Sequence, residues 1–287
     1  MKRIVLVLVS VLTVLGSSYA QNVLDGVYEK EHFTERIPQK YPALREADVM
    51  WSRKVWREID LRQKINHPFY YPAVAPGQET VNDRKSLIDV VMNAILEGSI
   101  IAYGNAVYDD EFKTPMTQEE IDAIGGAKQE VKRVYDWAKD DGSEKDTLIV
   151  EEFDRTSVKM WRVKEEWFFD KQRSVMDQRI IGLCPLKEAK DEFGDLTGGY
   201  EPLFWIYFPD SRGVFANAEV FNMMKNDAER RTYDDIFWKR MFSSYIIKEA
   251  NVMDRKIQSY MIGLDALLES ERIKSEIFNI EHDLWEY

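Results

Sequence analysis

The sequence contains few of the residues on which catalytic and metal sites usually depend. Its 287 residues include one cysteine, Cys184, and three histidines, His32, His67 and His282. A single cysteine excludes a disulfide within the chain. The histidines lie in separate segments, so none forms the i, i+4 pair of a zinc-binding helix. Glycine patterns of the nucleophile elbow, the phosphate loop and the dinucleotide fold are absent too, so no motif indicates a catalytic or cofactor site.

Positive charge is also scarce. The chain has 39 lysines and arginines against 51 aspartates and glutamates, a formal charge of −12. A surface of this sign repels phosphate backbones and anionic lipids, which argues against nucleic acid as a partner. The acidity does not indicate disorder, because 45% of the residues are hydrophobic and eight are tryptophans. These residues are enough to build a packed core.

Residues 1–20 have the pattern of a cleaved secretory signal peptide. Two basic residues precede an apolar stretch at 4–15, and small residues precede a predicted cut before Gln21. The stretch is shorter than the roughly 20 apolar residues that a membrane-spanning helix needs. A lipoprotein would have cysteine where Gln21 stands. Cleavage would remove Lys2 and Arg3 and lower the formal charge from −12 to −14, and we expect a soluble periplasmic protein.

The rest of the chain divides into four predicted parts. Residues 21–45 are polar and contain prolines, which indicates an extended arm. Residues 46–146 are predicted to form a mainly helical N-terminal lobe, 147–252 an α+β lobe, and 253–287 a C-terminal helical segment. Strands and helices do not alternate regularly, so the predicted fold class is α+β, with an antiparallel sheet and packed helices.

Local patterns predict the elements of the first lobe. Apolar residues at helical spacing indicate helices over 84–97 and 127–139. A capping box at 117–120 begins another helix. Residues 46–65 fit a short helix followed by a strand, and 99–108 are predicted to be a strand.

Aromatic and β-branched residues predict a strand-rich second lobe. The predicted strands are 147–153, 157–169, 175–186 and 201–208. A short helix is expected at 217–225, and a capping pair of Thr232 and Asp235 opens a helix that continues to Ile246. In the C-terminal segment the apolar repeat changes phase near Glu271, which predicts a hinge there.

Carboxylates and tryptophans leave one enzymatic alternative open. The acidic runs 109–111, 151–152 and 165–166 could supply a glycosidase pair, and tryptophans could stack on sugars. Such runs are usually solvated faces of an acidic protein. Cys184 lies in an apolar segment without a cationic neighbour, which predicts an inert buried thiol. The alternative is thus a secreted carbohydrate-active enzyme or carbohydrate-binding module.

Several blocks of sequence resemble one family. They are 48–66 (DVMWSRKVWREIDLRQKIN), 85–89, 110–115, 164–176, 202–209, 226–237 and 242–245. Together they resemble the GldN/PorN family of gliding motility and type IX secretion in Bacteroidota, over most of the chain after residue 20.

The resemblance implies a non-catalytic, cofactor-free periplasmic subunit that works by binding proteins. Members of the family join an outer-membrane lipoprotein, GldK/PorK, in a large ring. They also meet the periplasmic region of the inner-membrane motor protein GldM/PorM. We therefore expect several copies of the chain in a ring, held at the outer membrane through the lipoprotein.

Two groups of apolar residues are candidate partner contacts. Trp51 and Trp56 would lie about 140° apart on a helix, so one could face the core and the other a partner. A terminal stripe at helical spacing could dock on the chain's own core or on a neighbouring subunit. That stripe consists of Ile273, Ile277, Ile280 and Leu284, followed by Trp285. Docking on a neighbour predicts that a chain ending after Ser270 still folds.

Overall fold

A computed structural model describes residues 36–74, 78, 84–104, 110–124, 128–135, 144–151, 153–190, 196–223, 226 and 228–284. The predicted signal peptide and residues 21–35 of the predicted arm lie outside this set. The chain divides after His32 into two units, and every described residue belongs to the second, Phe33–Tyr287, which is compact. The fold that follows is that of the second unit.

An antiparallel sheet of seven strands organises the second unit. Its strands are β1 (Val49–Asp60), β2 (Ala102–Tyr103), β5 (Val158–Asp170), β6 (Val175–Lys190), β7 (Leu196–Pro202), β8 (Trp205–Tyr207) and β9 (Tyr245–Glu249). The strand order is β2-β8-β6-β5-β1-β9, and β7 also pairs with β6. A separate hairpin joins β3 (Lys128–Tyr135) to β4 (Glu144–Glu151). The predicted α+β class with an antiparallel sheet is confirmed.

Six α-helices accompany the sheet in the described residues. They are α1 (His67–Tyr70), α2 (Leu87–Leu96), α3 (Gln118–Asp122), α4 (Phe208–Asn217), α5 (Tyr233–Trp238) and α6 (Leu264–Leu284). The capping box before α3 is present: the Thr117 hydroxyl accepts from the Glu120 N–H, and the Glu120 carboxylate accepts from the Thr117 N–H. The helices predicted over 84–97 and from 117 are therefore confirmed, as are the strands over 157–169 and 175–186.

Two predicted helices of the first lobe are strands instead. Residues 49–60 form the single strand β1, which pairs with β5 along its length, for example Trp56 with Lys164. Arg57 and Glu58 are buried within β1, so polar residues interrupt the alternation that would have indicated a strand. Residues 128–135 form β3. A spacing of four, as between Val131 and Tyr135, fits one face of a strand as well as one face of a helix.

Other predicted elements are shorter than expected or absent from the described residues. The predicted 99–108 strand is only the two residues of β2 within its described part. The predicted 201–208 strand is divided: residues 201 and 202 end β7, residues 205–207 form β8, and α4 begins at Phe208. The described residues 218–223 are not helical.

The helix from Thr232 also ends early. Helix α5 stops at Trp238, and Arg240 adopts a positive φ of 50° before β9 begins. In contrast, α6 runs without interruption through Glu271, so the predicted hinge there is wrong.

Three hydrophobic clusters pack the described part of this unit. The largest joins α2 to the aromatic side chains of Phe69, Phe208, Phe215, Tyr233 and Phe237. A second cluster holds α6 against the sheet and contains Val55, Ile246, Ile257, Ile273 and Ile277. A third contains Trp56, Cys184, Trp205 and Ile247. Sequence neighbours such as Ile246 and Ile247 enter different clusters, because successive strand residues point to opposite faces.

The described end of the predicted arm lies on the body of the protein. The Tyr41 ring stacks on Trp238 with ring centroids 4.9 Å apart, and the Arg212 guanidinium lies 4.5 Å from the Tyr41 centroid. Arg179 donates from Nη2 to the Pro42 carbonyl at 2.6 Å. These contacts fix the direction from which the chain enters β1.

Candidate functional site

Cys184 and Glu165 are placed as structural side chains rather than as reactive ones. Cys184 is fully buried, and burial raises the pKa of its thiol to about 12, so the thiolate that would act as a nucleophile is suppressed. Glu165 is buried between Arg240, at 2.7 Å, and Arg57, at 3.6 Å. Within the described part of the chain, no group of three or more histidines, cysteines and carboxylates could hold a metal ion.

The acidic runs that suggested a glycosidase pair are not arranged as one where the structure describes them. The Asp110 carboxylate accepts from Trp56 Nε1 at 2.6 Å and lies 3.3 Å from Lys164 Nζ. Glu165 is held by two arginines, and the side chains of 151 and 152 are outside the description. Asp110 and Glu165 thus take part in ion pairs that join separate segments of the chain.

The described tryptophans are not placed to stack on a sugar. Trp161 and Trp205 are almost fully buried, and Trp56 is 7% exposed. Trp51, Trp167 and Trp238 are half-buried. A carbohydrate-binding face requires aromatic rings open to solvent, and none of these six rings is largely exposed. The other two tryptophans lie outside the described residues.

An apolar groove lies at the β9 end of the sheet. It is bounded by β9, by a 3₁₀ turn at Ile257–Ser259 and by the start of α6, and its volume is about 420 Å³. Its lining is Tyr245, Ile246, Ile247, Ile257, Gln258, Met261, Ile262, Gly263, Ala266 and Leu267. We call this feature the β9–α6 groove.

Large apolar side chains are exposed along the groove and beside it. Leu264 is 70% exposed, Leu268 60% and Ile262 86%. Tyr260, Met261 and Leu267 are also exposed. A run of exposed apolar residues around an apolar groove is typical of a protein interaction site. The β9–α6 groove is therefore the candidate functional site.

Helix α6 has apolar residues on two faces, and the two faces have different environments. The inner face contains Ser270, Ile273 and Ile277, at spacings of three and four residues. Ser270 Oγ accepts from the Ile246 N–H at 2.9 Å and so attaches the helix to the end strand. Leu264, Leu267 and Leu268 form the outer face.

The structure separates the predicted contact residues of the C-terminal stripe. Ile273 is 0% exposed and Ile277 is buried in the protein's own core, so neither offers surface to a partner here. Ile280 is half-buried. The Leu284 side chain and Trp285 lie outside the description, and a partner contact for them stays a prediction.

The two predicted tryptophan contacts lie on a strand rather than a helix. Trp51 is half-buried against the α6 cluster. Trp56 belongs to the third cluster, and Lys248 Nζ lies 4.2 Å from its ring centroid. They belong to different clusters because residues five apart on a strand point to opposite faces of the sheet. Their role in partner binding stays a prediction.

The outer leucines of α6 were not among the predicted contacts. Their spacing of three and four residues is itself a sequence signal, because it places them on one face of a helix. The same segment holds a second stripe at the same spacing. The spacing alone does not show which of the two stripes packs against the sheet.

These observations define a class of protein: an α+β protein whose described surface has an exposed apolar groove and whose one cysteine is buried. No described helix is long and apolar enough to cross a membrane.

Comparison of the sequence with known protein families shows which family the chain belongs to. The model of the family described as "Gliding motility associated protein GldN" matches residues 44–286. Since the match covers nearly the whole chain, the chain belongs to the GldN family and is associated with gliding motility. Comparison with curated proteins gave no match.

Proposed function

We propose that the protein is a non-catalytic assembly subunit of the type IX secretion and gliding motility machinery, and that it acts by binding other proteins. The GldN match over residues 44–286 carries this proposal. The exposed apolar groove supports it, because such surfaces usually mark sites of protein association. The burial of Cys184 and Glu165 agrees with a role that requires no reactive side chain.

The proposed partners follow from the family. The chain would join the outer-membrane lipoprotein GldK/PorK in a ring that contains several copies of each. It would also meet the periplasmic region of the motor protein GldM/PorM. Its location would be the periplasm, at the outer membrane, where the lipoprotein supplies the anchor.

Purification from solubilised envelopes tests this function. A tagged chain that restores gliding or secretion in a deletion strain should copurify with the lipoprotein in a large complex. A tagged, unrelated periplasmic protein from the same cells is the control. Recovery of the functional chain alone, as a monomer, would contradict the assembly role. The mass of the recovered chain should also correspond to a start at Gln21.

A further inference from the structure

We propose that residues 110–115 form a strap that closes the third hydrophobic cluster, and that this strap opens as a unit while the sheet stays folded. The strap lies outside the helices and strands, apart from a bridge between Pro115 and Tyr103. Trp56 and Cys184 belong to the third cluster, and Phe112 packs against it. Because Trp56 is 7% exposed with the strap closed, it can contact a partner only after the strap has opened.

The centre of the strap is the Phe112 ring, which lies on the backbone of Gly182 in β6. A Cβ atom added at Gly182 would lie 2.9 Å from Phe112 Cε1 and closer still to its Cζ, so the ring would have to move. The ring also makes edge-to-face contacts with Tyr103, Trp205 and Tyr207, at centroid distances of 5.5–6.2 Å. The glycine at 182 therefore provides the seat of the ring, and a larger residue there would hold the strap open.

The first residue of the strap, Asp110, is held by polar contacts. Its carboxylate accepts from Trp56 Nε1 at 2.6 Å and lies 3.3 Å from Lys164 Nζ. Lys164 Nζ also donates to the Asp110 carbonyl at 2.6 Å. Lys164 is 5% exposed, and its ammonium lies 5.6 Å from the Phe112 ring centroid. Opening takes this carboxylate away from a buried ammonium, so the closed state predominates.

Two features let the strap move independently of the sheet. Phe112 has a positive φ of 59°, a conformation that a bulky residue keeps only where its surroundings impose it, so release of the ring also relieves the backbone. The far end of the strap is attached to the two-residue strand β2 at the end of the sheet. There the Gly104 N–H donates to the Thr114 carbonyl at 2.9 Å. Opening about this end breaks no pairing among the long strands β1, β5 and β6.

Cys184 supplies the readout, because it is the only cysteine in the chain and lies in the cluster that the strap closes. A thiol reagent labels it in the native mature chain only during openings, and urea separates two kinds of opening. Local opening exposes little surface and hardly depends on urea, whereas global unfolding increases steeply with urea. We expect a rate of labelling that is independent of urea below the unfolding transition. A rate that follows global unfolding at every urea concentration would overturn the proposal.

Two substitutions in the strap should favour the open state. Phe112→Ala removes the ring and Asp110→Asn removes the charge beside Lys164, so each should raise the urea-independent labelling rate by roughly tenfold or more. The matched control is Glu111→Gln, since Glu111 is exposed and its ion-pair partner Lys113 lies in the strap as well. It should leave the rate within about twofold. Circular dichroism should show that all three variants fold. Labelling of Phe112→Ala at the rate of the control would overturn the proposal.

Gly182→Ala tests the seat of the ring in a double-mutant cycle. Its methyl group should displace the ring and raise the labelling rate of the otherwise unchanged chain by roughly tenfold or more. In the Phe112→Ala background the methyl group meets the space that the ring has left, and the increase should be only about twofold. Equal increases in the two backgrounds would show that Gly182 does not seat Phe112, and would overturn this part of the proposal.

Discussion

Substitution of Ile273 by alanine measures how firmly α6 belongs to the folded unit. Ile273 is 0% exposed and packs with Val55, Ile246, Ile257 and Ile277 between the helix and the sheet. Truncation of a buried isoleucine to alanine usually costs about 2–5 kcal/mol, since apolar contact is lost and a cavity remains. With a urea m-value of about 3 kcal/mol/M, the midpoint of unfolding should fall by roughly 1 M.

The matched control for this experiment is Phe278→Ala on the exposed side of the same helix. It should change the free energy of unfolding by no more than about 0.5 kcal/mol. A chain ending after Ser270 loses both Ile273 and Ile277, so we expect it to be strongly destabilised, contrary to the expectation from the sequence. If Ile273→Ala unfolds at the same urea concentration as the control, the packing of α6 in the second cluster does not stabilise the sheet.

Three further predictions concern buried polar groups. Native Cys184 should resist alkylation that proceeds readily in urea, since its thiol is buried and its pKa is raised to about 12; fast native labelling would show that the strand opens. Glu165→Gln should lower the free energy of unfolding by about 3–5 kcal/mol, because Arg57 and Arg240 lose their carboxylate partner. The control Glu166→Gln, at a half-buried neighbour, should lower it far less. Equal losses for the two variants in urea unfolding would refute this. Burial and the adjacent Glu58 raise the pKa of Tyr245. The folded state thus keeps this proton while the unfolded state loses it near its ordinary pKa of 10, and stability should fall as pH rises above about 10. The stability of Tyr245→Phe should fall less than that of the unchanged chain across this pH range. An identical pH dependence of the two chains would exclude a contribution from Tyr245.

The sequence predicts the elements whose apolar pattern is uninterrupted. Strands β5 and β6 contain long aromatic and β-branched runs, and α2 has apolar residues at helical spacing after its capping serine. Strand β1 could not be recognised in the same way. Its buried Arg57 and Glu58 are compensated by Glu165 and Arg162 from β5, and such pairing across the sheet is not visible in a local window.

The candidate site was predicted only in part, for a related reason. Periodicity correctly placed apolar stripes on the C-terminal helix, but the exposure of a stripe depends on what the sheet covers. The sheet covers Ile273 and Ile277, which were expected as possible partner contacts. Leu264 and Leu268, in the same helix, remain exposed. Long-range packing decides between the two stripes, and hydrophobicity alone does not.

The hydrogen bond from the Ile246 N–H to Ser270 Oγ has a consequence for solubility. An end strand with free backbone donors is a template on which further copies of a chain can aggregate. Here the Ser270 hydroxyl accepts from one such donor of β9, a strand of five residues that lies beside an exposed apolar surface. A substitution such as Ser270→Ala would therefore matter most at high protein concentration. It would leave the Ile246 N–H unpaired under α6, and aggregation through the strand edge would follow wherever the helix detaches from the sheet.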